Sequence, residues 1–246
     1  MSFERWIDIK NTSDERAEIS IYGPITDEKW FDEEVTPSDF RKKMYAVKDA
    51  KYIDLYVNSS GGGVFAGQTI YNMIKRHPAK VTAHVDGIAA SIASVVLMAG
   101  DEIVVPKNAM VMIHRATALA IGDAEEMLSM ASALERVENT IVNVYNERTG
   151  LDEKKIRDLM AAETWMNANE ALEYGFADKV DSEKTIEARV RGNTAIINGK
   201  EIDITQYRSF PRDRMENDEP KKVVVDYGKY ERQITKNEII IERSQK

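Results

Sequence analysis

Ser91 sits in Gly87-Ile88-Ala89-Ala90-Ser91-Ile92-Ala93-Ser94, a run of small side chains that would let another chain's backbone reach its hydroxyl. The sequence contains no cysteine, so an attacking group must carry oxygen or nitrogen. Serine needs a base to become a nucleophile. Three histidines are available: His77 precedes Pro78 at a helix end and reads as a cap or surface residue, and His84 lies inside a strand and reads as packed. His114 ends the apolar run Ala109–Ile113, a strand-end position, and is the best base by placement.

Six of the 13 glycines fall between positions 61 and 100, where backbone must come close to something. Asn58-Ser59-Ser60-Gly61-Gly62-Gly63 follows one strand directly and precedes a helix. Such a loop turns amide N–H groups outward and can hold an anion. The anion could be a phosphate, but the loop lacks the lysine of a P-loop and the spacing of GxGxxG. The favoured anion is the oxyanion of an acyl-transfer intermediate, for which backbone donors are the usual solution and a serine is available to attack. An imidazole base also needs an acid to orient it. Asp158 and Glu163 are the candidates, and spacing alone leaves both open.

The elements that must hold these groups alternate. Strand patterns at Ala17–Gly23, Tyr52–Val57, Lys80–Val85, Glu102–Val105 and Ala109–Ile113 are interleaved with helical stretches at 36–49, 65–77 and 89–99. Strand, helix, strand order predicts right-handed crossovers and a mainly parallel sheet, the α/β class, with sites at the carboxyl ends of the strands. From Asp123 to Asn146, Met127, Met130, Leu134, Val137, Ile141 and Val144 recur at spacings of three and four, which predicts one long amphipathic helix. That stripe suits either the cover of a sheet or a seam for a partner helix.

Composition narrows the classes. A chain of 246 residues with 43% hydrophobic residues can bury a substantial core. Residues 1–183 carry 20 Lys+Arg against 31 Asp+Glu, which disfavours nucleic acid as a partner, whereas 184–246 carry 14 against 11. The N-terminus lacks the apolar run of a signal peptide, and the uncharged stretch Gly87–Gly100 is too short to span a bilayer, so a soluble protein in a reducing compartment is expected. Three parts are expected: a body over 1–183, a hairpin-like appendage over 184–207 around Gly192-Asn193, and a charged tail over 208–246 that includes Val223–Val225 and Ile239–Ile241 and folds only on binding.

Taken together the motifs resemble the ClpP serine peptidases of the crotonase-like superfamily. Asn58–Val64 looks like that family's glycine loop, Gly87–Ser91 its nucleophile motif, Met112-Ile113-His114 its base motif, and Ala168–Asp178 the segment that closes the domain. The resemblance implies a repeated β-β-α superhelical fold with a protruding handle helix, here with a C-terminal extension. It implies no cofactor or metal, and a serine endopeptidase with Ser91 as nucleophile, His114 as base and the amides of Gly62 and Ile92 as oxyanion hole. For the acid, an alignment with a one-residue gap points to Asp158, with Glu163 as the rival. Stacked seven-membered rings joined through the 123–149 helix are implied, with an AAA+ unfoldase as a candidate partner. Ala162-Glu163-Thr164-Trp165, Trp6–Lys10 and the extension resemble phage and prophage members, which implies capsid maturation on capsid or scaffold protein in a bacterial host's cytoplasm. The rival readings are a silent assembly protein and an acyl-CoA enzyme sharing the oxyanion hole, neither of which needs the Ser91/His114 pair.

Overall fold

The computed structural model describes residues 7–11, 15–32, 34–181, 188–198 and 200–217. The expected strands at 223–225 and 239–241, and Trp6, lie outside the described residues.

The main sheet runs β1 (Ile7–Asn11), β2 (Arg16–Tyr22), β3 (Tyr52–Ser59), β4 (Lys80–Ala90), β5 (Glu102–Pro106) and, at its far edge, β8 (Lys179–Asp181). All neighbours in this row are parallel except β1 and β2, which are antiparallel. Helices α1 (Pro37–Ala46), α2 (Val64–Lys75) and α3 (Ile92–Leu97) fall between successive strands, as a parallel sheet requires. Thr36 caps α1 by accepting from the Asp39 amide, and Pro37 occupies its first turn.

The strand that positions the site is β4, which runs longer than its sequence pattern predicts. Its first half pairs with β5 through Thr82–His84; its second half, Ile88–Ala90, pairs instead with β6 (Met110–Ile113). Ala89 and Ala90, expected in a helix, therefore belong to the strand, and the helix begins only at Ile92. The switch occurs at Gly87, whose φ is +152°, opposite a register shift in β3 between Val57 and Ser59. β6 then pairs antiparallel with β7 (Thr164–Asn167), a strand the sequence pattern missed.

The long helix is present as α4 (Ala124–Thr149), opened by a capping box between Asp123 and Glu126 and closed by Gly150 at φ +71°. Its C-terminal half buries Ile141, Val142 and Tyr145, while Met127, Leu128 and Met130 in its first half are exposed. α5 (Glu153–Ala161) and α6 (Ala168–Glu173) follow. No helix among the described residues is long and apolar enough to cross a membrane.

A second sheet, β11-β10-β9-β12, is built from β9 (Ala188–Arg191), β10 (Thr194–Ile197), β11 (Lys200–Asp203) and β12 (Glu216–Asn217). The boundary expected at 207 falls inside this unit, because β12 pairs with β9. The sheet docks on the bend of β4: Asn198 Nδ2 donates to the Asp86 carbonyl at 2.5 Å and Asn58 Nδ2 to the Ile197 carbonyl at 3.5 Å. A Cβ on Gly87 would lie 2.3 Å from Ile197 Cγ2 and 2.9 Å from Asn58 Oδ1, on a backbone that disfavours side chains. Gly87→Ala is expected to cost about 2 kcal/mol and lower the thermal midpoint by about 5 °C. Differential scanning calorimetry of the full chain checks this; an unchanged midpoint would mean that the bend is not under this constraint.

Candidate active site

Ser91 stands between β4 and α3 with φ 56° and ψ −129°, a conformation unusual for a residue with a Cβ. Its amide donates to the Met112 carbonyl at 2.9 Å, continuing the β4–β6 ladder by one step, and its carbonyl accepts from the Ser94 amide at 3.0 Å as α3 begins. The hydroxyl is thus thrown out at a strand-to-helix turn, a strained arrangement typical of exposed nucleophiles. Ser94 packs beneath, its hydroxyl bonded to the Ser91 carbonyl and at 2.7 Å to the buried Tyr145 hydroxyl.

His114 follows the last residue of β6. Because Ala90 and Met112 are register partners, the two strand ends place His114 beside Ser91, with Nε2 at 2.8 Å from Oγ. Burial pushes the His114 pKa below its ordinary value; the nearby Glu163 charge opposes this and Arg208 reinforces it. The imidazole is therefore neutral at pH 7 and able to accept a proton.

The glycine loop brings the third component. The Gly61 carbonyl accepts from the Ile25 amide at 2.8 Å, and the Gly63 amide donates to the Ile25 carbonyl at 2.7 Å. In a trans peptide N–H and C=O point oppositely, so the Gly62 N–H is turned away from Ile25, toward the cleft that Gly62 lines. No side chain fits: a Cβ on Gly62 would lie 2.1 Å from the Ile25 carbonyl oxygen, and one on Gly61 would lie 2.7 Å from Ser91 Cβ. The Ile92 amide, first in α3, supplies a second outward donor beside Ser91. These groups line a cleft of 590 Å³ with Val95, Ile141, Tyr145 and Arg115.

The structure does not bring Asp158 to this cleft. Asp158 lies on the solvent face of α5, its side chain 63% exposed and held at 2.7 Å by Lys154. The buried face of that helix is Ile156, Leu159 and Met160, so helical spacing turns residue 158 outward. Glu163, just beyond the helix, turns inward with φ 52°, is only 4% exposed and lines the cleft. Its Oε1 accepts from the Ser209 amide at 2.8 Å, the Ser209 hydroxyl at 3.1 Å and Trp165 Nε1 at 3.4 Å, and its Oε2 from the Arg208 amide at 3.1 Å. Burial raises the Glu163 pKa, but these donors outweigh it and hold the carboxyl below its ordinary range. No hydrogen bond joins Glu163 to His114 among the described residues; the carboxylate acts on the imidazole through its charge.

The other histidines serve structure. His77 Nδ1 accepts from the Ala79 amide at 3.1 Å, and His84 stacks on Tyr56 with ring centroids 4.9 Å apart, near Asp54. No cluster of side chains suited to a metal ion occurs among the described residues. Sequence reasoning missed Gln206, Tyr207 and Arg208, which line the same cleft from the second sheet.

A half-buried imidazole whose pKa is lowered by desolvation sets the pH response of Ser91. Its reaction with a fluorophosphonate is expected to fall with decreasing pH at a midpoint below 6.5, because His114 stays deprotonated to lower pH than an exposed histidine. Labelling rates measured from pH 5 to 9 test this, and a midpoint above 7 would contradict it.

The Clp protease family profile matches residues 2–184. An ATP-dependent Clp protease proteolytic subunit of Deinococcus radiodurans is 34% identical over 131 residues, 52% of this chain and 64% of that protein. The subunit of the same name from Chlorella vulgaris is 33% identical over 140 residues, 56% of this chain and 69% of that protein. That from Mesostigma viride is 35% identical over 133 residues, 53% of this chain and 58% of that protein. The chain thus spans roughly three fifths to two thirds of the length of these curated relatives. A family match over three quarters of the sequence, on a fold whose strand ends meet at Ser91 and His114, shows that the chain belongs to the Clp protease family.

Proposed function

We propose that the protein is a ClpP-type serine endopeptidase. The observation that carries this reading is the 2.8 Å contact between Ser91 Oγ and His114 Nε2 in a cleft that also presents the Gly62 and Ile92 amides. Ser91 Oγ attacks the substrate carbonyl carbon while His114 takes its proton, and the two amides stabilise the oxyanion. The imidazolium then protonates the leaving amine, and a water activated by the same imidazole releases the acyl group as an acid. In this reading Glu163, rather than Asp158, supplies the negative charge that stabilises the imidazolium.

An acyl-CoA enzyme would use the oxyanion hole but not the Ser91/His114 contact, and a silent assembly protein would need neither. The curated relatives are named as subunits of an ATP-dependent protease, which supports an unfoldase-fed role for this chain as well. The Ala162–Trp165 variant and the extension beyond residue 184 favour the narrower role, a phage or prophage protease that matures capsid or scaffold protein in the host cytoplasm. The exposed Met127, Leu128 and Met130 on α4 suit the seam of a stacked-ring homo-oligomer.

Labelling by a fluorophosphonate that is lost in Ser91→Ala is the expected result; an unlabelled wild-type assembly would overturn the peptidase reading. Glu163→Gln is expected to lower the labelling rate at pH 8 by about tenfold or more and to move its pH midpoint downward, because the charge that raises the His114 pKa is gone. Asp158→Asn should leave both unchanged. Coexpression with capsid precursor and scaffold should give cleavage products lost in Ser91→Ala; intact precursors beside ATPase-driven degradation of an unfolded protein would favour general turnover. Sedimentation should show an oligomer at micromolar concentration.

A further inference from the structure

The family match ends at residue 184, yet the chain beyond it reaches the catalytic groups. After β11 the backbone turns at Thr205–Gln206 and lays Gln206, Tyr207 and Arg208 along the cleft, with Ser209 next in the chain. Three separate contacts fix this segment. Tyr207 Oη donates to the Ser60 carbonyl at 3.0 Å, from a ring that is buried. The Arg208 and Ser209 amides donate to the Glu163 carboxylate, and the Ser209 hydroxyl shares its one proton between the Glu163 carbonyl at 2.8 Å and Oε1 at 3.1 Å. Tyr207 and Phe210 meet Trp165 edge-on, with centroids 5.0 and 4.8 Å away, which anchors the segment to β7.

The contact with Ser60 bears on the oxyanion loop. The peptide between Ser60 and Gly61 is held at both ends, its carbonyl by Tyr207 and its N–H by Ser59 Oγ at 3.1 Å. The next peptide is the one that aims the Gly62 N–H into the cleft. With glycines on both sides, this stretch has wide conformational freedom, and pinning the preceding plane removes much of it. An oxyanion donor is effective only when already aimed at where charge develops. The contact with Glu163 has a parallel effect. A carboxylate in a left-handed backbone position, bonded on both oxygens, is held both ionised and in place beside His114.

We propose that Tyr207 and Ser209 are positioning residues of the active site: Tyr207 orients the oxyanion loop through Ser60, and Ser209 with its flanking amide fixes Glu163. The second sheet is then a working part of the active centre, delivered by chain that lies outside the family match. This inference rests on the peptidase reading, and its test separates the two.

The full chain carrying Tyr207→Phe, Ser209→Ala or Ser209→Thr would be reacted with a fluorophosphonate, and the maximal inactivation rate resolved from the half-saturating concentration. Tyr207→Phe keeps the ring in its aromatic cluster and removes one hydroxyl. The maximal rate is expected to fall about tenfold, with the half-saturating concentration and thermal midpoint unchanged. Ser209→Ala should show a comparable loss that Ser209→Thr largely restores. Wild-type rates in both Tyr207→Phe and Ser209→Ala would overturn the positioning roles and leave the peptidase reading standing. So would a loss that tracks a lowered thermal midpoint and is not restored by threonine. An unlabelled wild type would overturn both.

Discussion

The hydrogen bond from the Ser91 amide to the Met112 carbonyl is the contact on which the site depends. It extends the pairing of β4 with β6 by one residue, and so fixes where one strand ends relative to the other. Since His114 lies two residues past Met112, this pairing sets the distance between nucleophile and base. It exists only because β4 bends at Gly87 and exchanges β5 for β6. A straight β4 paired throughout with β5 would leave β6, and His114 after it, without the pairing that brings it to Ser91.

Around that contact the structure divides its demands between rigidity and exposure. The surrounding core is dense: Ile88, Ala89, Ala90, Val111, Met112 and Ile113 are all fully buried, so neither strand end can shift alone. Against this support the Ser91 backbone holds a conformation that costs of order 1–3 kcal/mol in isolation. Three polar features are then imposed on the apolar frame: the outward Gly62 amide, the desolvated His114 ring and the buried Glu163 charge. Each is held by bonds from a different part of the chain. Ile25 aligns the loop, β6 carries the imidazole, and the segment after β11 cradles the carboxylate.

Much of this was legible in the sequence. Alternation located β2 to β6, the 3-4 spacing located α4, and the small residues around Ser91 with the strand-end position of His114 picked out the pair that the structure brings into contact. Which of the two carboxylates lines the cleft was not legible, for a physical reason. Helical spacing decides that residue 158 faces solvent, but the left-handed turn that sends residue 163 inward leaves no periodic signal. The contribution of Tyr207 to Ser209 was hidden because it comes from long-range docking of short strands whose pattern suggested only an appendage. The extension of β4 through Ala89 and Ala90 was misjudged because alanine favours helix, and the ladder with β6 overrides that preference.

In the proposed reaction Ser91, His114 and the Gly62 and Ile92 amides converge on one tetrahedral centre. The crystal structure of the protein after reaction with a fluorophosphonate tests it most directly. The expected result is phosphorus bonded to Ser91 Oγ and a phosphoryl oxygen about 2.7–3.1 Å from both the Gly62 and Ile92 nitrogens, with His114 Nε2 still facing the ester oxygen. An adduct on another residue, or a phosphoryl oxygen turned to solvent away from those amides, would contradict it.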